Sequence, residues 1–273
     1  MDLSYILADP SGNTTAFVLS PVAPGQYGPV ARSVMEALSA EQVAFVHDGR
    51  MDMMGGEFCG NASRSFAIWQ ALHTGDGRTL LPFSGESQQT VQVSGSPQPL
   101  KVTVRGTNDR LYAAIGMPLP RRVLPLEQSP LGRCTLVEYP GISHILLEDR
   151  QPAQEDPQKA TTLLSDLSAE SGCFGLLYLS QNHMRPLVYV RDTDTLVWES
   201  SCASGTCAVA AALALRQDQP VELELFQPGG SLTAKAHVEN GQLFSLTLDG
   251  PVTFPKSGIL SLPPEGEGGT AKP

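Results

Sequence analysis

The sequence predicts an α/β (α+β) protein built from two similar domains that face each other across a cleft. Two observations lead there. A strand, a Gly- or Ser-rich loop, a cysteine and then a helix follow one another once in each half of the chain, around Cys59 and around Cys202. Between these halves Pro118 and Pro120 mark a natural boundary, beyond which elements recur in a similar order. The domains are expected at 1–116 and 117–260, with the last strand able to return to the first domain. The polar, Pro- and Gly-rich tail of 261–273 is expected to be disordered.

The elements follow from periodicity. Alternation over Tyr5–Leu19 around Pro10-Ser-Gly-Asn-Thr predicts two short strands flanking a turn. Val30, Val34, Met35 and Leu38 share one side of a helix over Pro29–Ala40, and Val43–His47 reads as a strand. Gly55-Gly56 breaks the chain before Cys59, and a helix runs from Asn61 to Leu72. Strands follow at Thr90–Val93, Leu100–Val104 and Leu111–Ile115. The second half repeats the order: strands at Leu136–Glu138 and His144–Leu147, a helix at Lys159–Glu170, strands at Phe174–Leu179 and Leu187–Val190. The loop Glu199-Ser-Ser-Cys-Ala-Ser-Gly-Thr then leads into an alanine-rich helix over Thr206–Arg216. Strands close the chain at Val221–Phe226, Ser231–His237 and Leu243–Leu248.

At 273 residues and 41% hydrophobic, the chain is long enough to bury a large core. No apolar run approaches the ~18 residues of a membrane helix. The start, MDLSYILADPSGN, lacks the basic region of a signal peptide. A net charge of −10 disfavours nucleic acid and anionic membrane as partners. Five widely spaced cysteines are not a disulfide framework and fit a reducing cytoplasm. Cys134, Cys173 and Cys207 are expected in the core. Cys202 and Cys207 match no common zinc spacing, so no metal is expected.

The chemistry concentrates in Gly55-Gly-Glu-Phe-Cys59-Gly-Asn-Ala-Ser-Arg64 and Glu199-Ser-Ser-Cys202-Ala-Ser-Gly-Thr-Cys207. In each a cysteine precedes a helix, whose N-terminus carries partial positive charge and N–H groups outside the helix's own ladder. Both features should lower a thiol pKa, and the same amides can hold a carboxylate. Two such devices suit inversion of an amino-acid α-carbon. One thiolate removes the α-proton, the carboxylate delocalises the resulting charge, and the opposite thiol returns a proton to the other face. The glycine-rich loops lack the phosphate-loop Lys and the dinucleotide fingerprint. No lysine stands in a loop suggestive of a pyridoxal Schiff base, so no cofactor is expected. A non-catalytic protein that holds an amino acid between two domains would keep the same carboxylate cradle.

These motifs resemble the diaminopimelate epimerase family, with Cys59-Gly-Asn-Ala and Ser201-Cys-Ala-Ser-Gly-Thr-Cys-Ala standing where that family has its two cysteine motifs. Gly12-Asn13, Gln42, Pro228-Gly-Gly-Ser-Leu and Asp249-Gly-Pro-Val extend the resemblance over nearly all of the chain except the tail. It implies two pseudo-symmetric domains, each a mixed sheet wrapped around a central helix, no cofactor, and often a homodimer. Cys59 and Cys202 then look like the acid–base thiols. The amides of Gly60, Asn61, Ala203 and Ser204 look like the carboxylate cradle, Asn13 and Gln42 would shape the reacting end, and Glu199 would bind the substrate amino group.

The departures bear on substrate. Ser200 stands where the family has an arginine, Arg50 or a neighbour replaces an asparagine, and Ile142-Ser-His144 replaces Asn-Pro-His. A second amino-carboxyl end would lose its partners, which argues against diaminopimelate. Met53-Met-Gly-Gly-Glu-Phe-Cys-Gly-Asn61 resembles the histidine racemase branch, which supplies D-histidine for opine-type metallophores. A proline-type epimerase usually has His where Asn61 stands. Arg50, Glu57, His144, Cys173 and Glu199 are the candidates for reading the substrate side chain.

Overall fold

The computed structural model describes residues 1–107, 110–169, 172–191 and 194–262. The expected disordered tail lies, from residue 263 on, outside the described residues. The chain divides into two compact units: Met1–Pro10, Thr14–Leu111 and the chain from Val252 form one, and Ser11–Asn13 with Tyr112–Pro251 form the other.

In the first unit the elements are β1 (Asp2–Asp9), β2 (Thr15–Val18), α1 (Tyr27–Leu38), β3 (Gln42–His47), β4 (Arg50–Met53), α2 (Gly60–Leu72), β5 (Gly85–Val93) and β6 (Leu100–Thr107). The strands lie side by side in that order. The pairs β1–β2, β3–β4 and β5–β6 are antiparallel hairpins. The pairs β2–β3 and β4–β5 are parallel, each spanned by a helix, as parallel neighbours require. Helix α1 lays Val30, Ala31 and Val34 on Leu3, Leu7, Ala16, Val43 and Phe45, with Tyr27 stacked on Phe45 at 3.8 Å between ring centroids. Met35 and Leu38 pack at the margin of this core. Helix α2 is buried on every side, from Gly60 through Trp69 without a break. A helix apolar or satisfied all round belongs inside a core, and α2 is the axis the unit is built on.

The second unit repeats this plan. Its elements are β7 (Arg110–Met117, in this unit from Tyr112), β8 (Arg122–Leu126), β9 (Cys134–Tyr139), β10 (Ile142–Glu148), α3 (Asp156–Asp166), β11 (Cys173–Ser180), β12 (His183–Val190), β13 (Thr195–Trp198), α4 (Ala203–Gln217), β14 (Val221–Gln227), β15 (Gly230–Glu239) and β16 (Gln242–Ser261). Antiparallel β9–β10, β11–β12 and β14–β15 alternate with parallel β10–β11, spanned by α3, and β12–β14, spanned by α4. Strand for strand, this is the order of pairings in the first unit. Alanines at 208, 210, 211, 212 and 214 are buried along α4, and their small side chains let strands pack closely around that helix. A separate core under α3 joins Leu163 and Leu164 to Leu136, Ile145, Leu147, Phe174 and Leu176. Strand β16 pairs with β15 up to Asp249, then pairs antiparallel with β1 from Thr253 to Ser261, inside the first unit.

The mixed α/β architecture expected from the two repeated devices is what the chain adopts. Strands β4, β8 and β13 have no counterpart among the sequence-based expectations. In β4 only Met51 and Met53 are buried, alternating with Arg50 and Asp52. In β8 a proline, Pro125, sits in the strand at the sheet's margin, where prolines are tolerated. Strand β13 is exposed throughout, so burial imposes no pattern on it. The helix expected at Lys159–Glu170 begins at Asp156 and ends at Asp166, and Glu170 lies outside the described residues.

Candidate active site

Both cysteines are N-cap residues, a position that ordinarily favours Ser, Thr, Asp or Asn. Cys59 caps α2 with φ −125° and ψ 113°, and its Sγ accepts the Ala62 N–H at 3.4 Å. Cys202 caps α4 with φ −122° and ψ 111°, and its Sγ accepts the Gly205 N–H at 3.4 Å. The match continues in the next turn. The Ser63 hydroxyl donates to the Cys59 carbonyl at 2.7 Å, and the Thr206 hydroxyl donates to the Cys202 carbonyl at 2.7 Å. In each unit the sulfur takes up the N–H of the third residue beyond it. The first-turn amides, those of Gly60 and Asn61 or of Ala203 and Ser204, lie outside the helix ladder at the positive end of the dipole.

The loop before Cys59 is held by the two residues that follow β5. Ser94 accepts the Met53 N–H at 2.9 Å and donates to the Glu57 carbonyl at 2.8 Å. Gly95 comes so close that a Cβ on it would lie 2.2 Å from the Phe58 nitrogen. From β3, Gln42 donates through Nε2 to Thr15 Oγ1 at 2.8 Å and to Cys59 Sγ at 3.3 Å. Asn61 is fully buried, with its Oδ1 accepting from Arg64 Nη2 at 2.9 Å.

Around Cys202 a different residue serves. Gln227, at the end of β14, accepts the Cys202 N–H through Oε1 at 2.8 Å and donates through Nε2 to Thr206 Oγ1 at 3.0 Å. The Ser204 hydroxyl lies 3.6 Å from Cys202 Sγ and 2.8 Å from His144 Nε2. Glu199 is half-buried with its N–H on the Pro186 carbonyl at 3.0 Å. Asn13 is buried, and the glycine before it packs against Gly229.

The expected lowering of the thiol pKa does not hold at Cys202. Burial and then the Glu199 carboxylate push that thiol up, against the opposing pull of the Gly205 N–H and the Ser204 hydroxyl. Desolvation outweighs those two donors because the residue is only 6% exposed. Cys59 is half-buried.

Of the expected site residues, Gln42, Cys59, Gly60 and Asn61 lie in the first unit, and Asn13, Glu199, Cys202, Ala203 and Ser204 in the second. Of the side-chain readers proposed from sequence, Arg50 is paired with Asp52 at 2.7 Å and Glu57 is exposed. Cys173 is half-buried at the start of β11, while Cys134 and Cys207 are core residues. His144 is fully buried beneath Ser204. Gln227 and the Ser94–Gly95 support escaped the sequence reading. Ser63 and Thr206 did carry a signal, a hydroxyl residue four positions beyond each cysteine.

The same fold occurs in solved racemase and epimerase structures. A structure from Pseudomonas aeruginosa described as a predicted epimerase superposes with a TM-score of 0.65 at 14% identity, covering 96% of this chain and 100% of its own. A hydroxyproline epimerase from Agrobacterium vitis gives 0.59 at 11% identity, covering 95% and 91%. At these identities the likeness is one of fold, which a phenazine biosynthesis PhzF-family structure from Enterococcus faecalis shares. A histidine racemase from Fusobacterium nucleatum is 31% identical over 267 residues, 94% of this chain and 96% of the relative. The family model for the histidine racemase CntK N-terminal domain matches residues 2–260. The chain belongs to the histidine racemase family and is an amino-acid racemase. Among the described residues no helix is long and apolar enough to cross a membrane.

Proposed function

We propose that this racemase interconverts L- and D-histidine by acid–base chemistry between two thiols, Cys59 and Cys202. The observation that supports it is the matched N-cap geometry of the two cysteines, each at the head of a buried helix with its sulfur bonded to the third amide beyond it. One sulfur, as thiolate, takes the α-proton from one face of the substrate carbon. The other, as thiol, delivers a proton to the opposite face. The substrate carboxylate accepts from the first-turn amides at Gly60 and Asn61 or at Ala203 and Ser204, which stabilise the charge it gains in the carbanion. Gln42 and Asn13 border the reacting end, and Glu199 takes the substrate ammonium. Histidine is the substrate named for the relatives, and the Met53–Asn61 motif favours the same choice. The reading extends to a cofactor-free homodimer in the cytoplasm whose D-histidine enters opine-type metallophores.

The test is exchange of the α-proton in D₂O, followed by NMR, with reduced protein, no added cofactor and each L-amino acid in turn. Loss of the histidine α-proton with inversion is the expected result. Exchange confined to another amino acid would replace the substrate and keep the mechanism. No exchange with any amino acid, proline and diaminopimelate included, would leave a protein that holds amino acids without turning them over. Cys59→Ser and Cys202→Ser should each abolish racemisation, because a hydroxyl is far too weak an acid to stand in for a thiol at neutral pH.

A further inference from the structure

The two thiols differ in what stands two residues beyond them. After Cys59 that residue is Asn61, whose side chain is taken up by Arg64, and the sulfur's side-chain donor is Gln42. After Cys202 it is Ser204, whose hydroxyl lies between the sulfur, at 3.6 Å, and His144 Nε2, at 2.8 Å. His144 is fully buried, and among the described residues its Nδ1 has no hydrogen-bond partner. Buried N–H groups are rarely left unpaired, so the imidazole proton belongs on Nε2. With Nε2–H donating, the Ser204 oxygen is an acceptor toward His144, and its own O–H is left to point at Cys202.

We infer that Ser204 is a positioning residue for Cys202: its hydroxyl, oriented by the Nε2–H of His144, donates to the sulfur and stabilises the thiolate of a buried cysteine. The inference rests on the two-thiol reading only for its consequence in turnover. No proton leaves the serine or the imidazole. The thiolate gains a directed donor, and when the sulfur takes the substrate α-proton that donor is released. Gly175 makes the arrangement sterically possible, since a Cβ there would lie 2.6 Å from His144 Nδ1.

The test reads the sulfur directly. Methyl methanethiosulfonate reacts with thiolate, and the modified Cys202 peptide is followed by mass spectrometry at fixed pH in the full-length protein, with Cys134 as a buried reference thiol. Ser204→Ala should slow Cys202 modification about tenfold or more, the range for losing a hydrogen bond to a charged group. Cys134 should be unchanged. Ser204→Thr should restore the rate, and His144→Asn should slow it in the presence of Ser204. An unchanged Cys202 rate in Ser204→Ala overturns the inference, as does failure of threonine to rescue. Persistence of racemisation in Cys202→Ser would instead overturn the two-thiol reading and leave this result standing.

Discussion

Gly175 lies directly opposite His144 on the parallel β10–β11 ladder, and a methyl group on it would come within 2.6 Å of the imidazole Nδ1. The ring is fully buried. Gly175→Ala should therefore displace His144 from Ser204 and destabilise the protein by about 1–3 kcal/mol, the cost of overpacking a filled interior. Racemisation should fall with it. Gly116→Ala, on β7 with nothing among the described residues within 4 Å of the added carbon, is the matched control and should leave both unchanged. Urea midpoints and turnover of the two variants decide the matter, and equal behaviour would refute the steric account.

Gly95 is the corresponding tight point in the first unit. A Cβ there would lie 2.2 Å from the Phe58 nitrogen and 2.6 Å from the Glu57 carbonyl carbon, in a residue with φ +69°. Because the obstacle is backbone, the loop that presents Cys59 must move. Gly95→Ala should reduce kcat more than tenfold, since displacement of reacting groups by about 1 Å can cost a hundredfold. Proton exchange at histidine is the assay, and near-normal exchange would show that the loop does not position the thiol.

Gln42 donates at once to Thr15 Oγ1 and to Cys59 Sγ. Gln42→Leu keeps the side chain's bulk and removes the donor. Turnover should drop by about tenfold, the low end of what a hydrogen bond to a charged group is worth. The thermal midpoint should move little, because the site is only partly buried. A large loss of stability with unchanged turnover would assign Gln42 to the fold alone.

How far the site was legible in the sequence follows from which residues sit next to the cysteines along the chain. Cys59, Cys202, Gly60, Asn61, Ala203 and Ser204 belong to two local motifs, and their placement follows once each helix begins at its cysteine. Gln227 reaches Cys202 from 25 positions away, and His144 reaches Ser204 from 60. Those contacts depend on β12–β14 pairing and on β10 lying under α4, which no local pattern encodes. The helix end at Cys202 was readable, whereas the burial that overrides it depends on the whole unit. Of the strands that escaped notice, β8 and β13 have a weak burial pattern or none, and the alternation of β4 spans only four residues.

His144 also leaves a mark on the pH dependence of stability. Burial lowers its pKa from 6.5 to about 3. Between those values the unfolded chain binds a proton at this residue that the folded chain does not. Acid therefore favours unfolding, and the stability this residue permits is fully present above pH 6.5 and is lost as pH falls toward 3. A shift of this size corresponds to on the order of 4–5 kcal/mol across the window. Urea unfolding followed from pH 7.5 down to about 4.5 should show a steep decline in the native protein. In His144→Gln, which cannot titrate, the decline should be visibly shallower even though the variant starts from lower stability. Parallel slopes in the two proteins would mean that His144 does not carry the acid sensitivity, and that ion-paired carboxylates such as Asp52, held low by His47 and Arg50, account for it instead.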